Sequence, residues 1–274
     1  MKFCTFIKNG EARVGVAVPG GAADVTDQVG SLAAVIRGEA KLDRAPENAP
    51  VTPEAELRFG NVTTPGKLLC VGLNYRSHAE ETGGEAPKDP MFFSKFGDCL
   101  CPSGHPVKLP EWQRCFDYEA ELVIVMGRTA YHVSPGEAMD CVFGYTCGND
   151  LSARDCQFIT SQWLSGKSFP DFAPAGPWIV TADSFNPDGK NGIFCRVNGA
   201  EVQAGDTSDM LFPCREIISR ASRYFRLDPG DLIFTGTPAG VILGHPKGTR
   251  VWLKAGDTVT VTIEVIGTLE NKLV

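Results

Sequence analysis

The sequence predicts a β-dominated α+β fold, and three observations carry that reading. Short apolar runs recur along most of the chain, 30 Gly and 19 Pro punctuate them, and only a few segments show a helical period. Near the N-terminus, Phe3, Thr5 and Phe6 and then Val14, Val16 and Val18 alternate as strands do. A short helical pattern follows at 31–36. From 41 to 56 the chain turns polar and carries Pro46, Pro50 and Pro53, which suits a connection running over the surface. A soft boundary near Thr64 to Gly66 divides a small N-terminal β-rich domain, 1–65, from a larger domain, 66–274. In the larger domain, strands are expected at 68–71, 91–93, 121–125, 178–180, 194–197 and 232–234, and in the alternation of Val259, Val261, Ile263 and Val265. One helix begins at Ser134-Pro135-Gly136-Glu137, whose spacing is that of a capping box with proline in its first turn. Another covers 212–225, with Ile217, Ile218 and Ala221 on one side, and ends at Asp228-Pro229-Gly230.

Charge and composition narrow the function. With 33 acidic residues against 26 basic ones and a formal charge of −7, the chain is a poor partner for nucleic acid. No apolar run approaches the ~20 residues that span a bilayer. The opening Met1-Lys2-Phe3-Cys4 reads as a strand rather than a signal peptide, so a cytoplasmic protein that does not bind membranes is expected. The ten cysteines are scattered, without a CxxC, and read as buried thiols in a reducing compartment.

Five segments have side chains suited to chemistry. In Asp117-Tyr118-Glu119-Ala120-Glu121, strand alternation points Glu119 and Glu121 to one face beside a buried run. Two adjacent carboxylates there are relieved by a cation or a shared proton; an exposed acidic strand end is the plainer alternative. Asp150, at the end of another short apolar strand, offers a third hard oxygen ligand or else a cap or turn. On a helix, His78 and Glu81 face each other, so Glu81 can fix the imidazole tautomer for base catalysis; the alternative is an ordinary solvated pair. The stretch 82–87 that follows has the composition of a lid. Lys167, between small residues, is either a cation for an anionic substrate or a turn lysine in water. The Thr235-Gly236-Thr237-Pro238 turn offers hydroxyl and N–H groups of the kind that bind carboxylates, or is a plain tight turn. Dinucleotide, P-loop, serine-hydrolase and zincin motifs are absent, and His105, His132 and His245 have no companion at ligand spacing.

In their order and spacing, Gly72-Leu73-Asn74-Tyr75 with His78 and Glu81, Asp117-Tyr118-Glu119-Ala120-Glu121, Gly144-Tyr145 through Asn149-Asp150 to Asp155, Gly166-Lys167-Ser168-Phe169, Gly176-Pro177-Trp178 and Thr235-Gly236-Thr237-Pro238 resemble the fumarylacetoacetate hydrolase family over about 66–274. The resemblance implies a mixed β-sandwich or β-roll catalytic domain, usually dimeric, with a small N-terminal β-rich domain as in bacterial members. It implies one Mg²⁺ or Mn²⁺ held by Glu119, Glu121 and Asp150, and a water-activating dyad of His78 and Glu81. Lys167 joins the dyad as a catalytic residue, while Gln157, Thr237, Tyr75 and Gly236 are implied to bind substrate.

The activity implied is metal-dependent hydrolysis of a C–C bond in a small anionic 2,4-dioxo acid, an acylpyruvate, a fumarylpyruvate or a 2,4-diketo-3-deoxy sugar acid, through a metal-stabilised pyruvate enolate. Oxaloacetate decarboxylation and isomerisation of a 2-hydroxy-diene-dioate are alternatives within the family. A non-catalytic metabolite-binding protein is the alternative of another class. Substrate choice is expected to rest on side chains such as Arg76, Phe93, Lys95, Gln157 and Trp163.

Overall fold

Strand Ala120–Met126 is buried on both faces, and this explains the unbroken apolar run in its sequence. Leu122, Ile124 and Met126 enter one core, while Val123 and Val125 enter a second on the opposite face. The computed structural model describes residues 1–83 and 86–274. The strand lies in an eleven-stranded mixed sheet, antiparallel to Val142–Asn149 on one side and to Leu232–Phe234 on the other. Beyond Leu232–Phe234 come Leu68–Gly72, in parallel, and the edge strand Met91–Lys95. A second sheet of four antiparallel strands, centred on Gly192–Val197 and Thr258–Ile263, contributes Ile193, Val259, Val261 and Ile263 to the first core. The β-dominated α+β class read from the sequence is the one observed.

The N-terminal strands Lys2–Lys8, Glu11–Val18 and Gly21–Asp24 form a meander that continues the large sheet, with Lys2–Lys8 pairing Ala173–Thr181. Phe3, Val14 and Val16 share the second core with Val123, Val125 and Phe234. One expectation needs correction. The polar stretch 41–56 is not wholly a surface connection, because Val51–Pro53 pairs with Gly21–Asp24 and adds an edge strand. Its polarity is that of an edge with exposed side chains, where proline is tolerated.

The helices are short. Ser31 caps Leu32–Ile36 by accepting from Ala34 N, and Ser134 with Glu137 forms the expected capping box on Pro135–Ala138. The helix expected over 212–225 is Cys214–Ser222. Pro213 delays its start, since the residue ahead of a proline avoids the helical region. His78 and Glu81 lie on helix Arg76–Glu81, as the spacing requires. The lid-like stretch 82–87 includes Gly84 and Glu85, which lie outside the described residues.

Candidate active site

Two strand ends meet at one point. Glu119 immediately precedes Ala120–Met126, Glu121 lies within it, and Asp150 follows Val142–Asn149. Because the two strands pair Gly148 with Glu121 and Asn149 with Ala120, the three carboxylates converge, and one oxygen from each lies within 4.8 Å of the others. All three are buried. The alternative of an exposed strand end for Glu119 and Glu121 therefore falls away, and the Asp150 side chain, for which a cap or turn was the alternative, pairs with Lys95 and Lys167 and accepts from no backbone N–H among the described residues.

Cations surround them. Lys167 Nζ donates to Glu119 Oε2 at 2.8 Å and to Asp150 Oδ2 at 2.7 Å. Lys95 Nζ lies 2.5 Å from Asp150 Oδ1 and donates to the carbonyls of Leu151 and Phe172. Arg154 Nη2 lies 2.6 Å from Glu119 Oε1. Burial alone would raise the carboxyl of Glu119, but Lys167 and Arg154 hold it at about 2. Glu121 goes the other way: burial, then the charges of Asp150 and Glu119, push it well above the usual carboxylate range. Glu121 is thus the carboxyl of the cluster whose surroundings favour the protonated form. Burial disfavours the ammonium of Lys167, yet Asp150 and Glu119 raise it overall, so it stays charged.

This donor set fits a hard divalent cation. The three groups are oxygen donors, and Asp150 Oδ1, fully buried, has an ion-pair contact but no aligned hydrogen bond. With all of them ionised, Asp117, Glu119, Glu121 and Asp150 against Lys95, Arg154 and Lys167 leave one net negative charge. A divalent cation would make that one positive, the sign an anionic substrate needs.

The cluster opens on a cavity of about 460 Å³ whose wall includes His78, Glu81, Glu119, Gln157, Lys167 and Thr237. His78 Nδ1 lies 3.4 Å from Glu81 Oε2, and both Glu81 oxygens accept from Gly240 N at 3.0 and 3.1 Å. Glu81 is therefore tied to the backbone, and the reading of the pair as solvated does not hold: His78 is buried. Lys167 is not a turn lysine in water but is 1% exposed at the end of helix Leu164–Lys167. Gly166 lets that helix approach, since a Cβ there would lie 2.4 Å from Gln157 N and 2.6 Å from Ala153 O.

Hydrogen-bond accounting refines the substrate-facing set. Thr237 Oγ1 accepts from Gln203 Nε2 at 2.9 Å, which leaves its own proton to donate. Gln157 Oε1 accepts from Arg154 Nη1, which leaves its amide N–H groups for the cavity. Gly236 lines the cavity, but its N–H is committed to Glu121 Oε2 at 2.7 Å, so it fixes a carboxylate rather than a substrate. The structure does not bring Tyr75 to the cavity wall: the residue is fully buried, and its hydroxyl has no hydrogen-bond partner among the described residues. Of the side chains expected to govern substrate choice, Phe93, Trp163 and Gln157 line the cavity. Lys95 is instead buried against Asp150, and Arg76 is exposed, 3.9 Å from Asp209.

Sequence reasoning gave no role to Asp117, Arg154, Asn74 or Gln203. Asp117 is wholly buried and accepts four hydrogen bonds, from Tyr118 N, Ile242 N, Leu243 N and Arg154 Nε. Asn74 locks the turn before His78 by bonding Phe212 N, Phe212 O and Thr235 O. Their partners are distant in sequence, so no spacing rule exposes them.

Comparison with known proteins agrees with this geometry. Residues 67–274 match the family model described as the fumarylacetoacetate (FAA) hydrolase C-terminal domain. The chain belongs to the fumarylacetoacetate hydrolase family. Its relatives in that family include the human mitochondrial oxaloacetate tautomerase FAHD2A, 42% identical over 228 residues, covering 82% of this chain and 72% of the human one. Among solved family structures, a fumarylacetoacetate hydrolase from psychrophilic Exiguobacterium antarcticum is 37% identical with a TM-score of 0.90, covering 100% of this chain and 99% of the other. A 2-hydroxyhepta-2,4-diene-1,7-dioate isomerase from Mycobacterium marinum is 32% identical with a TM-score of 0.79, covering 100% and 98%. The family relatives are thus enzymes that include tautomerases, hydrolases and isomerases, and no described helix of this chain is long and apolar enough to cross a membrane.

Proposed function

We propose that the chain is a divalent-metal-dependent enzyme of small 2-oxo acids that moves a proton at C3, with oxaloacetate keto–enol tautomerisation as its first activity. The observation that carries this is one cavity lined by a His–Glu pair with a buried imidazole, an ammonium and a carboxylate of the three-carboxylate cluster. The similarity to oxaloacetate tautomerases supports the choice of substrate. Glu119, Glu121 and Asp150 would hold Mg²⁺ or Mn²⁺. When bound, such an ion supplies Lewis acidity to the 2-oxo and carboxylate oxygens.

The chain's own residues do the rest. Glu81 accepts from His78 Nδ1 and leaves Nε2 to take the C3 proton; the C–H electrons form the C2–C3 double bond, and the imidazolium then gives that proton up to the oxo oxygen, so that His78 ends neutral as it began. Negative charge on that oxygen develops beside Lys167, whose third N–H is not used by Glu119 or Asp150. Thr237 and Gln157 donate to the substrate carboxylate.

A second reading, hydrolysis of a 2,4-dioxo acid such as an acylpyruvate, is supported by the same dyad acting on water and by the similarity to a fumarylacetoacetate hydrolase. The proposal includes the division into 1–65 and 66–274, a cytoplasmic location, and a homodimer with no nucleic-acid or membrane partner. Nine of the ten thiols are buried, which suits a reducing compartment, and exposed Phe158, Ile159 and Tyr224 suit a subunit contact.

The test follows enol absorbance of oxaloacetate with Mg²⁺ while pyruvate is assayed in parallel, with acetylpyruvate as a second substrate. Tautomerisation accelerates enol decay without pyruvate, whereas hydrolysis of acetylpyruvate releases it. His78→Ala should lower either rate by about 10²–10⁴-fold with Mg²⁺ binding retained. If neither rate exceeds buffer while oxalate binds with Mg²⁺, a non-catalytic metabolite-binding role replaces this reading.

A further inference from the structure

Three cationic side chains line the cavity, and two are committed to carboxylates. Arg154 serves Asp117 and Glu119, and Lys167 serves Glu119 and Asp150. Arg250 is different. Among the described residues its contacts are neutral: Nε donates to His245 O at 2.8 Å and Nη2 to Leu243 O at 2.5 Å, with the guanidinium carbon 5.8 Å from the centre of the Trp252 ring. Two carbonyls and an aromatic face fix the plane of the group without cancelling its charge. No described residue accepts from Nη1. A half-buried guanidinium held in this way is arranged for a planar anion, because little conformational freedom remains to be lost on binding.

The loop that carries it is also registered to the reacting groups. Ile242 N and Leu243 N donate to Asp117, which binds Arg154, and Gly244 lies against the Glu81 carboxylate. Arg250 therefore stands in a fixed relation to both the dyad and the carboxylate cluster.

We propose that Arg250 receives the distal carboxylate of the substrate and is the residue that selects a 2-oxo dicarboxylate over a 2-oxo monocarboxylate. The assignment rests on reading the cavity as a 2-oxo acid site. In it, the carboxylate and oxo end of the substrate lies at the Glu119, Glu121 and Asp150 cluster, and the far end reaches Arg250.

Calorimetric titrations of wild type, Arg250→Gln and Arg250→Lys, all with Mg²⁺, test it with matched ligands. Oxaloacetate is paired with 2-oxobutyrate, 2-oxoglutarate with 2-oxovalerate, and oxalate reports on the cluster alone. The expected result is that Arg250→Gln weakens at least one dicarboxylate about tenfold or more while its monocarboxylate partner and oxalate are unchanged, and that Arg250→Lys recovers part of the loss. Steady-state kinetics should show the same change in KM for oxaloacetate, with kcat within about threefold. Equal weakening of all ligands, oxalate included, would mean that Arg250 only supports its loop and would overturn the assignment. So would unchanged binding of both dicarboxylates. Failure of wild type to bind oxalate or any 2-oxo acid is a distinct result, which removes the underlying reading and this assignment with it.

Discussion

Arg154 Nε donates to Asp117 Oδ2 at 2.9 Å, deep in the protein where neither side chain reaches solvent appreciably. The pair joins two parts of the site that sequence places far apart. Arg154 also faces Glu119, while Asp117 gathers the N–H groups of Ile242 and Leu243, so the carboxylate cluster and the 242–250 loop share one anchor. Asp117→Ala would leave a buried guanidinium half-paired and strand three backbone N–H donors. Loss of about 3–5 kcal/mol of stability is expected, together with weaker Mg²⁺ binding through the disturbed Glu119. Urea unfolding with an unchanged m-value measures the first; a change below about 1 kcal/mol would show that the anchor is dispensable.

Glu121 predicts proton release on metal binding. Burial and the neighbouring Asp150 and Glu119 charges push its carboxyl up, which favours a proton in the metal-free cluster that a cation would displace. Mg²⁺ affinity should therefore rise with pH until Glu121 ionises by itself. The linkage for folding has the matching sign. A raised folded-state pKa gives stability that is present below the unfolded carboxylate value of about 4.3 and is lost as pH rises toward and through the folded one. Metal-free protein should thus lose stability over that window, and saturating Mg²⁺ should restore it. Calorimetry in buffers of different ionisation enthalpy counts the protons; release of none at slightly acidic pH contradicts the assignment of the proton to Glu121.

Asp150 has two tasks that can be separated. Its carboxylate belongs to the three-carboxylate cluster proposed to hold the metal, and it also neutralises Lys95 and Lys167 inside the protein. Asp150→Asn should abolish Mg²⁺ binding and turnover. It should also destabilise by about 3–5 kcal/mol, because two buried ammonium groups lose their shared partner. Adding Lys95→Met removes one of those stranded charges, so the double variant should recover part of the stability and none of the metal binding. Stoichiometric metal retention in Asp150→Asn would remove it from the ligand set.

The main elements and the carboxylates of the candidate site were legible in the sequence because each follows from a local rule. Strand alternation sets Glu119 beside Glu121, and helical spacing sets His78 beside Glu81. What could not be read depends on long-range pairing. Lys95 and Lys167 come from the edge strand and a one-turn helix, yet both end on Asp150, and burial rather than spacing makes them charge partners. Gly236 was read as a substrate donor because its turn offers N–H groups. Only the fold shows that this one is already committed to Glu121. The edge strand Val51–Pro53 was missed for a similar reason, since a polar, proline-bearing segment becomes a strand only when Gly21–Asp24 presents a ladder to it.

Gly244 offers a way to displace the dyad without disturbing the fold. A Cβ built on it would lie 2.3 Å from Glu81 Cδ and 2.6 Å from Oε1, too close for both to stay where they are. What the methyl meets is the far end of a flexible side chain, so Glu81 can move while the backbone stays. Moving it breaks the contacts with Gly240 N and with His78 Nδ1 together. The imidazole would then lose the group that fixes its tautomer. Gly244→Ala should therefore lower turnover about tenfold or more, with the melting temperature within about 2–4 °C of wild type and Mg²⁺ binding unchanged, since neither Glu81 nor Gly244 belongs to the carboxylate cluster. Full activity in this variant would mean that the Glu81 carboxylate has no part in orienting His78. A large drop in melting temperature would place its effect on the loop instead. Glu81→Gln separates these outcomes, because it keeps the side chain's length and an oxygen for Gly240 N while removing the charge that His78 faces.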